Sequence, residues 1–98
     1  MAEVITRPTA QLDMEEIDLY GIVKFGNVAA EHYMVGFFDA FDRLARFPEI
    51  GPIYPGIRPV IRFLTYREHH IFYDFDGETV VVVRILHHAA NAKYALVQ

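Results

Sequence analysis

Pro48, Gly51, Pro52, Pro55, Gly56 and Pro59 stand within twelve consecutive positions, 48–59. No regular helix or central strand runs through such a stretch, because Pro lacks a backbone donor and Gly is entropically expensive to order. The period of the apolar residues changes across it. Ahead of the stretch they recur at spacings of three and four, and behind it they form short β-branched runs. A chain built this way places helices first and sheet second, which defines an α+β fold.

Ahead of the divide, Val4 and Ile5 mark a short strand over residues 2–6, closed by Pro8. Thr9 reads as the N-cap of a helix to about Phe25, with Ala10, Met14, Ile17 and Gly21 on one stripe and Tyr20 beside it. Gly26 suits a left-handed helix end, and Asn27 suits the cap of a second helix. That helix runs to Phe47, with Ala29, Tyr33, Gly36, Phe37, Ala40, Leu44 and Phe47 as its core face and Pro48 as its stop. A connection of about two residues forces the helices into an antiparallel hairpin. A second stripe of Met34, Phe38 and Phe41 makes the later helix apolar over more than half its circumference.

Behind the divide, residues 57–66, 69–76 and 79–88 read as three strands, with Asp76-Gly77 as a tight turn between the last two. The run 80–86 lacks alternation, as a central strand covered on both faces does. The tail 89–98 has no decisive pattern. The prediction is a single domain over 1–98 of order β-α-α-β-β-β, with the helix hairpin packed on a C-terminal antiparallel sheet.

Hydrophobic residues make up 53% of the chain and include eight Phe and six Tyr, more than a core of 98 residues comfortably hides, so part of the surplus should lie under a partner. Nine Lys and Arg against thirteen Asp and Glu give a formal charge of -4, a poor footprint for holding phosphates. The absence of Cys removes disulfides and thiolate chemistry. No basic segment followed by an apolar run opens the sequence, and no apolar run approaches the roughly 20 residues that span a bilayer. The expectation is a cytoplasmic protein without membrane contact.

Several local words carry a further signal: Pro8-Thr9-Ala10 leading into Met14-Glu15-Glu16-Ile17, the stretch from Phe41-Asp42-Arg43-Leu44 to Phe47-Pro48, then Gly56-Ile57-Arg58, His70-Ile71-Phe72-Tyr73 and Val83-Arg84-Ile85-Leu86-His87. In this order and spacing they resemble the ParE branch of the RelE/ParE toxin superfamily across nearly the whole chain. The resemblance implies a toxin silenced by a ParD-like antitoxin in a hetero-oligomer, which acts on DNA gyrase by binding and uses no cofactor. The ribonuclease branch of the superfamily instead places basic residues and a terminal Tyr, His or acid over scissile RNA. This chain has no Arg after Arg84, and that departure together with the net acidity favours the gyrase-directed branch and disfavours nucleic acid as a partner. The alternatives are a ribosome-dependent endoribonuclease working through His87, Lys93 and Tyr94, or a non-toxic module that only binds antitoxin.

Candidate partner-binding residues follow. Arg58, Arg62, Arg67 and Arg84 form a candidate positive patch, weighed against exposed arginines that merely pair with neighbouring carboxylates. Met34, Phe38 and Phe41 are either core or the seat of an antitoxin helix, and strand 57–66 is an edge able to accept another strand. The pairs His69-His70 and His87-His88 suggest a metal. A two-residue turn at Asp76-Gly77, however, sets His69 opposite Arg84, whose charge repels a cation, so no metal site is expected.

Overall fold

Strand β4 (Thr79–His87) is the axis around which the rest is arranged. In the computed structural model, which describes residues 1–96, it lies between β1 (Glu3–Thr6) and β3 (His69–Phe75), with β2 (Arg62–Tyr66) beyond β3. β1 runs parallel to β4, whereas the other pairings are antiparallel. The sheet is therefore mixed, and the N-terminal strand is its fourth member. The central place of β4 agrees with its unbroken apolar run.

Helices α1 (Pro8–Phe25) and α2 (Asn27–Arg46) are joined by Gly26 alone. A Cβ on Gly21 would stand 3.3 Å from that of Ala30, so the hairpin crosses where both side chains are small. The α1 stripe falls as expected, with Ala10 fully buried and Met14 and Ile17 packed against the core. In α2, Ala30 rather than Ala29 is buried, and Phe47 is exposed. Phe37 and Leu44 then meet Ile71, Tyr73, Val80 and Val82 of the sheet in the fully buried centre. A short α3 (Ala92–Leu96) follows the sheet, and Asn91 Oδ1 accepts the Tyr94 N–H at 3.2 Å.

The helix ends differ from the sequence reading in instructive ways. Pro8 opens α1, with Arg7 at the cap position, because the missing N–H of a first helical residue has no partner to lose. Thr9 is thus inside the helix. Gly26 has φ 90° and ψ 167°, a positive φ that favours glycine but not the left-handed helical region, and it stands where Asn27 was expected to cap α2.

The β3–β4 hairpin is also re-registered. Phe75 faces Val80, so Gly77 and Glu78 form the tip while Asp76 Oδ1 accepts the N–H groups of Glu78 and Thr79, both at 2.8 Å. Farther along, Tyr73 faces Val82 but Phe72 faces Arg84, which leaves Val83 as the extra residue of a bulge. Both shifts bring His87, not Arg84, opposite His69. The bulge also re-phases β4, so that Val80, Val82 and Ile85 are buried and Arg84 escapes the core.

Beyond the bulge, among the described residues, β4 has no strand on its β1 side, since that pairing ends at Thr6 and Val82. Helix α1 completes the edge. The Thr9 hydroxyl donates to Val83 O at 2.9 Å, and Asp13 Oδ2 accepts the Ile85 N–H at 2.9 Å. Asp13 also receives Arg84 Nε at 2.8 Å and Nη2 at 3.1 Å, a two-pronged pair that holds the Arg84 pKa above its ordinary value.

The Pro/Gly segment covers the other face of the sheet. Tyr54 sets its ring 5.3 Å from Phe63 and 5.2 Å from the fully buried Phe72. Strand β2 begins only at Arg62, not 57, because the segment doubles back along it. Tyr54 N–H donates to Ile61 O at 2.8 Å and Phe63 N–H to Pro52 O at 3.0 Å. β2 remains the outer strand of the sheet, as expected for an edge.

Asp13→Ala strands the Ile85 N–H and leaves Arg84 unpaired. We expect a loss of about 2 kcal/mol, the cost of an orphaned, partly buried donor, measurable by urea denaturation.

Candidate functional site

The edge strand β2 and helix α2 diverge to leave an open groove of about 750 Å³. Glu31, His32, Val35, Gly36, Asp39, Ala40 and Arg43 line it from α2, and Thr65, Tyr66 and Arg67 from the sheet side. The Pro/Gly segment pairs with β2 only as far as Phe63, so among the described residues the end of the strand beside the groove has no further strand on that side.

An aromatic cluster fixes the groove's width. The ring of Tyr66 lies 5.0 Å from that of Tyr33 and 4.7 Å from that of Phe37, and its hydroxyl donates to Tyr33 O at 2.9 Å. The Tyr33 hydroxyl in turn shares a 2.8 Å hydrogen bond with His69 Nδ1. Burial raises the Tyr33 pKa, and burial followed by the nearby His87 lowers that of His69, so both groups favour their uncharged forms. Gly36 is required at this crossing, since a Cβ there would collide with the Tyr66 hydroxyl.

The arginines expected to act together have different neighbours. Arg84 is bound to Asp13, and Arg62 turns inward to bind Gly51 O at 2.8 Å and the Glu49 carboxylate at 3.5 Å. Arg58 is exposed in the loop, next to a cis peptide bond to Pro59. Only Arg67 reaches the groove, from a turn where its φ is 51°. The apolar stripe also divides, because Met34 and Phe41 pack on the core while Phe38 is 60% exposed and does not line the groove. Val35, Asp39, Arg43 and Thr65 were missed. An apolar Val35 beside a mid-helix Gly36 was the available signal.

The alternative catalytic set is dispersed in its contacts. His87 is exposed at the end of β4, 3.9 Å from the Glu68 carboxylate. The Lys93 side chain lies against Gly56, and Tyr94 is 64% exposed on α3. Among the described residues no hydrogen bond joins the side chains of His87, Lys93 and Tyr94 to one another.

The surplus apolar surface predicted from composition is real. Leu19, Val23, Phe25 and Val28 are each more than three-fifths exposed along α1 and the hairpin tip. Among the described residues no helix is long and apolar enough to cross a membrane.

A helix hairpin on a mixed four-stranded sheet is an architecture found in a toxin-antitoxin assembly. A chain of the solved structure described as "Chromosomal ParDE TA system from P. aeruginosa" superposes with a TM-score of 0.76, covering 89% of this chain and 96% of that one at 19% identity. Residues 4–92 match the family described as "ParE toxin of type II toxin-antitoxin system, parDE". Toxin ParE1 of Mycobacterium tuberculosis, in strains CDC 1551 / Oshkosh and ATCC 25618 / H37Rv, is 41% identical over 81 residues, spanning 82% of this chain and 83% of the relative. The chain belongs to the ParE toxin family of type II toxin-antitoxin systems.

Gly36→Ala should push Tyr66 off Tyr33 and widen the groove. The expected destabilisation is about 1–3 kcal/mol, as for overpacking elsewhere, with loss of the near-ultraviolet dichroism of the aromatic cluster as the check.

Proposed function

We propose that the groove between α2 and the edge of β2 is the seat of a ParD-like antitoxin, and that the chain, once free of it, inhibits DNA gyrase by binding. The observation that carries the first half is the coincidence of two docking features in one place. An edge strand with unpaired backbone groups offers strand addition, while the adjacent groove with exposed Val35 accepts the apolar side of a helix. Arg43 and Arg67 on opposite walls, with Glu31 and Asp39 beside them, give the seat charges of both signs to pair with an incoming segment.

Membership of the ParE family and the net charge of -4 support the second half. A protein that grips a large enzyme needs no long-range attraction to RNA, whereas a ribosome-bound nuclease does. The pairing of Arg62 and Arg84 with this chain's own carboxylates further reduces the positive surface open to a phosphate backbone.

Two measurements test this reading. Val35→Glu should weaken antitoxin binding about ten-fold or more, the loss expected for a well-placed contact, whereas Leu19→Glu on the outer face of α1 should leave it unchanged. Equal affinity for wild type and Val35→Glu removes the groove from consideration. Antitoxin-free protein should inhibit supercoiling by gyrase and leave messenger RNA intact on translating ribosomes. Cleaved message with unaffected gyrase replaces this reading with the endoribonuclease one, centred on His87, Lys93 and Tyr94.

A further inference from the structure

The re-registered hairpin assembles a group of side chains that the antitoxin groove does not use. Glu68, in the β2–β3 turn, faces His87 and His88 at the exit of β4, and one ligand atom from each residue lies within 4.8 Å of the others. His88 Nε2 is 3.1 Å from Glu68 Oε2, and His87 Nε2 is 3.9 Å from the same oxygen. Two ligand atoms on a tetrahedral zinc centre stand about 3.3 Å apart, given metal–ligand bonds of about 2.0–2.1 Å, so the observed spacings bracket that value.

Several contacts hold the three residues in place before any ion arrives. The His88 N–H donates to Glu68 O at 2.9 Å, joining the two backbones. The rings of His87 and His88 stack at 4.4 Å, and the edge of His69 backs His87 at 5.7 Å. The nearby arginines do not fill the position. Arg84 is engaged by Asp13, and the Arg67 guanidinium lies over the Tyr66 ring, 6.0 Å from its centre.

We propose that Glu68, His87 and His88 form a surface site for a divalent transition metal of the zinc class, with water completing the coordination. Two imidazoles and one carboxylate suit Zn²⁺, Ni²⁺ or Cu²⁺. The imidazoles disfavour Mg²⁺ and Ca²⁺, and the absence of thiolates disfavours Cu⁺. Two local contacts give way on loading, the first being the hydrogen bond between His88 Nε2 and Glu68 Oε2, whose proton the ion replaces. In the second, His87 Nδ1 accepts the Ala89 N–H at 3.1 Å, but a ring that binds metal through Nε2 carries its proton on Nδ1. Ala89 is exposed, so water takes over its N–H. Binding would tie the segment leading to α3 to the turn that carries Arg67.

Tag-free protein, stripped with EDTA and titrated with Zn²⁺ by calorimetry, tests the site, with thermal unfolding followed in parallel. The expected result is one Zn²⁺ per chain and a Zn²⁺-dependent rise in Tm. Binding should weaken about ten-fold or more in Glu68→Gln and in His88→Gln, substitutions that preserve size at exposed positions, and should be unchanged in Glu78→Gln at the exposed β3–β4 tip. Absence of heat and of a Tm shift in the wild type overturns the proposal. So does a Zn²⁺ response that survives both Glu68→Gln and His88→Gln.

Discussion

The carboxylate of Asp13 accepts an N–H from the end of β4 and both prongs of Arg84, and much of the fold turns on that one group. β4 must be paired on both sides because its residues are apolar and its backbone is enclosed, yet β1 supplies only four residues of parallel partner. Past Val82 the strand would present unpaired donors and acceptors to a helix. Thr9 and Asp13 meet them instead, so α1 serves as the continuation of a strand that is too short. The bulge at Val83 belongs to the same solution. It turns Arg84 out of the core toward Asp13 and returns Ile85 to the buried face.

With β4 settled, the remaining geometry follows from packing. The hairpin lies across one face of the sheet through Phe37 and Leu44, and the Pro/Gly segment covers the other through Tyr54. That segment stops pairing with β2 at Phe63, where Arg62 anchors its return by binding Gly51 O. The end of β2 is left beside α2, and Gly36 lets Tyr66 approach the helix closely enough to set the groove. The opening in a ParE-family toxin is thus made by the absence of side-chain bulk at one helical position and of a strand at one edge.

The elements themselves were largely legible in the residues. The stripe of Ala10, Met14 and Ile17, the helix ending before Pro48, the three later strands and the central β4 all follow from periodicity and from what Pro and Gly forbid. Helix caps were less legible, because Thr9 and Asn27 are good caps in isolation while the helices begin earlier, at Pro8 and directly after Gly26, with no side-chain cap at either start. The candidate site was read least well. Arg62 and Arg84 look like surface charges in the sequence, and nothing local reveals that Glu49, Gly51 and Asp13 claim them. The His69–Arg84 pairing that argued against a metal rested on a turn one position too early and on a bulge no pattern announces.

By itself, then, the sequence determined the two long helices and the central parts of the strands, that the helices return on themselves, and that the chain carries more apolar surface than its own core can hide. Those outcomes depend on neighbours within a few residues and on total composition. The tertiary structure alone decided the parallel docking of β1, the register of β3 on β4, and which charged groups remain available to a partner. Each of these depends on partners tens of residues away, such as Asp13 and Arg84, whose meeting is fixed by the packing of whole elements and not by the identity of either side chain.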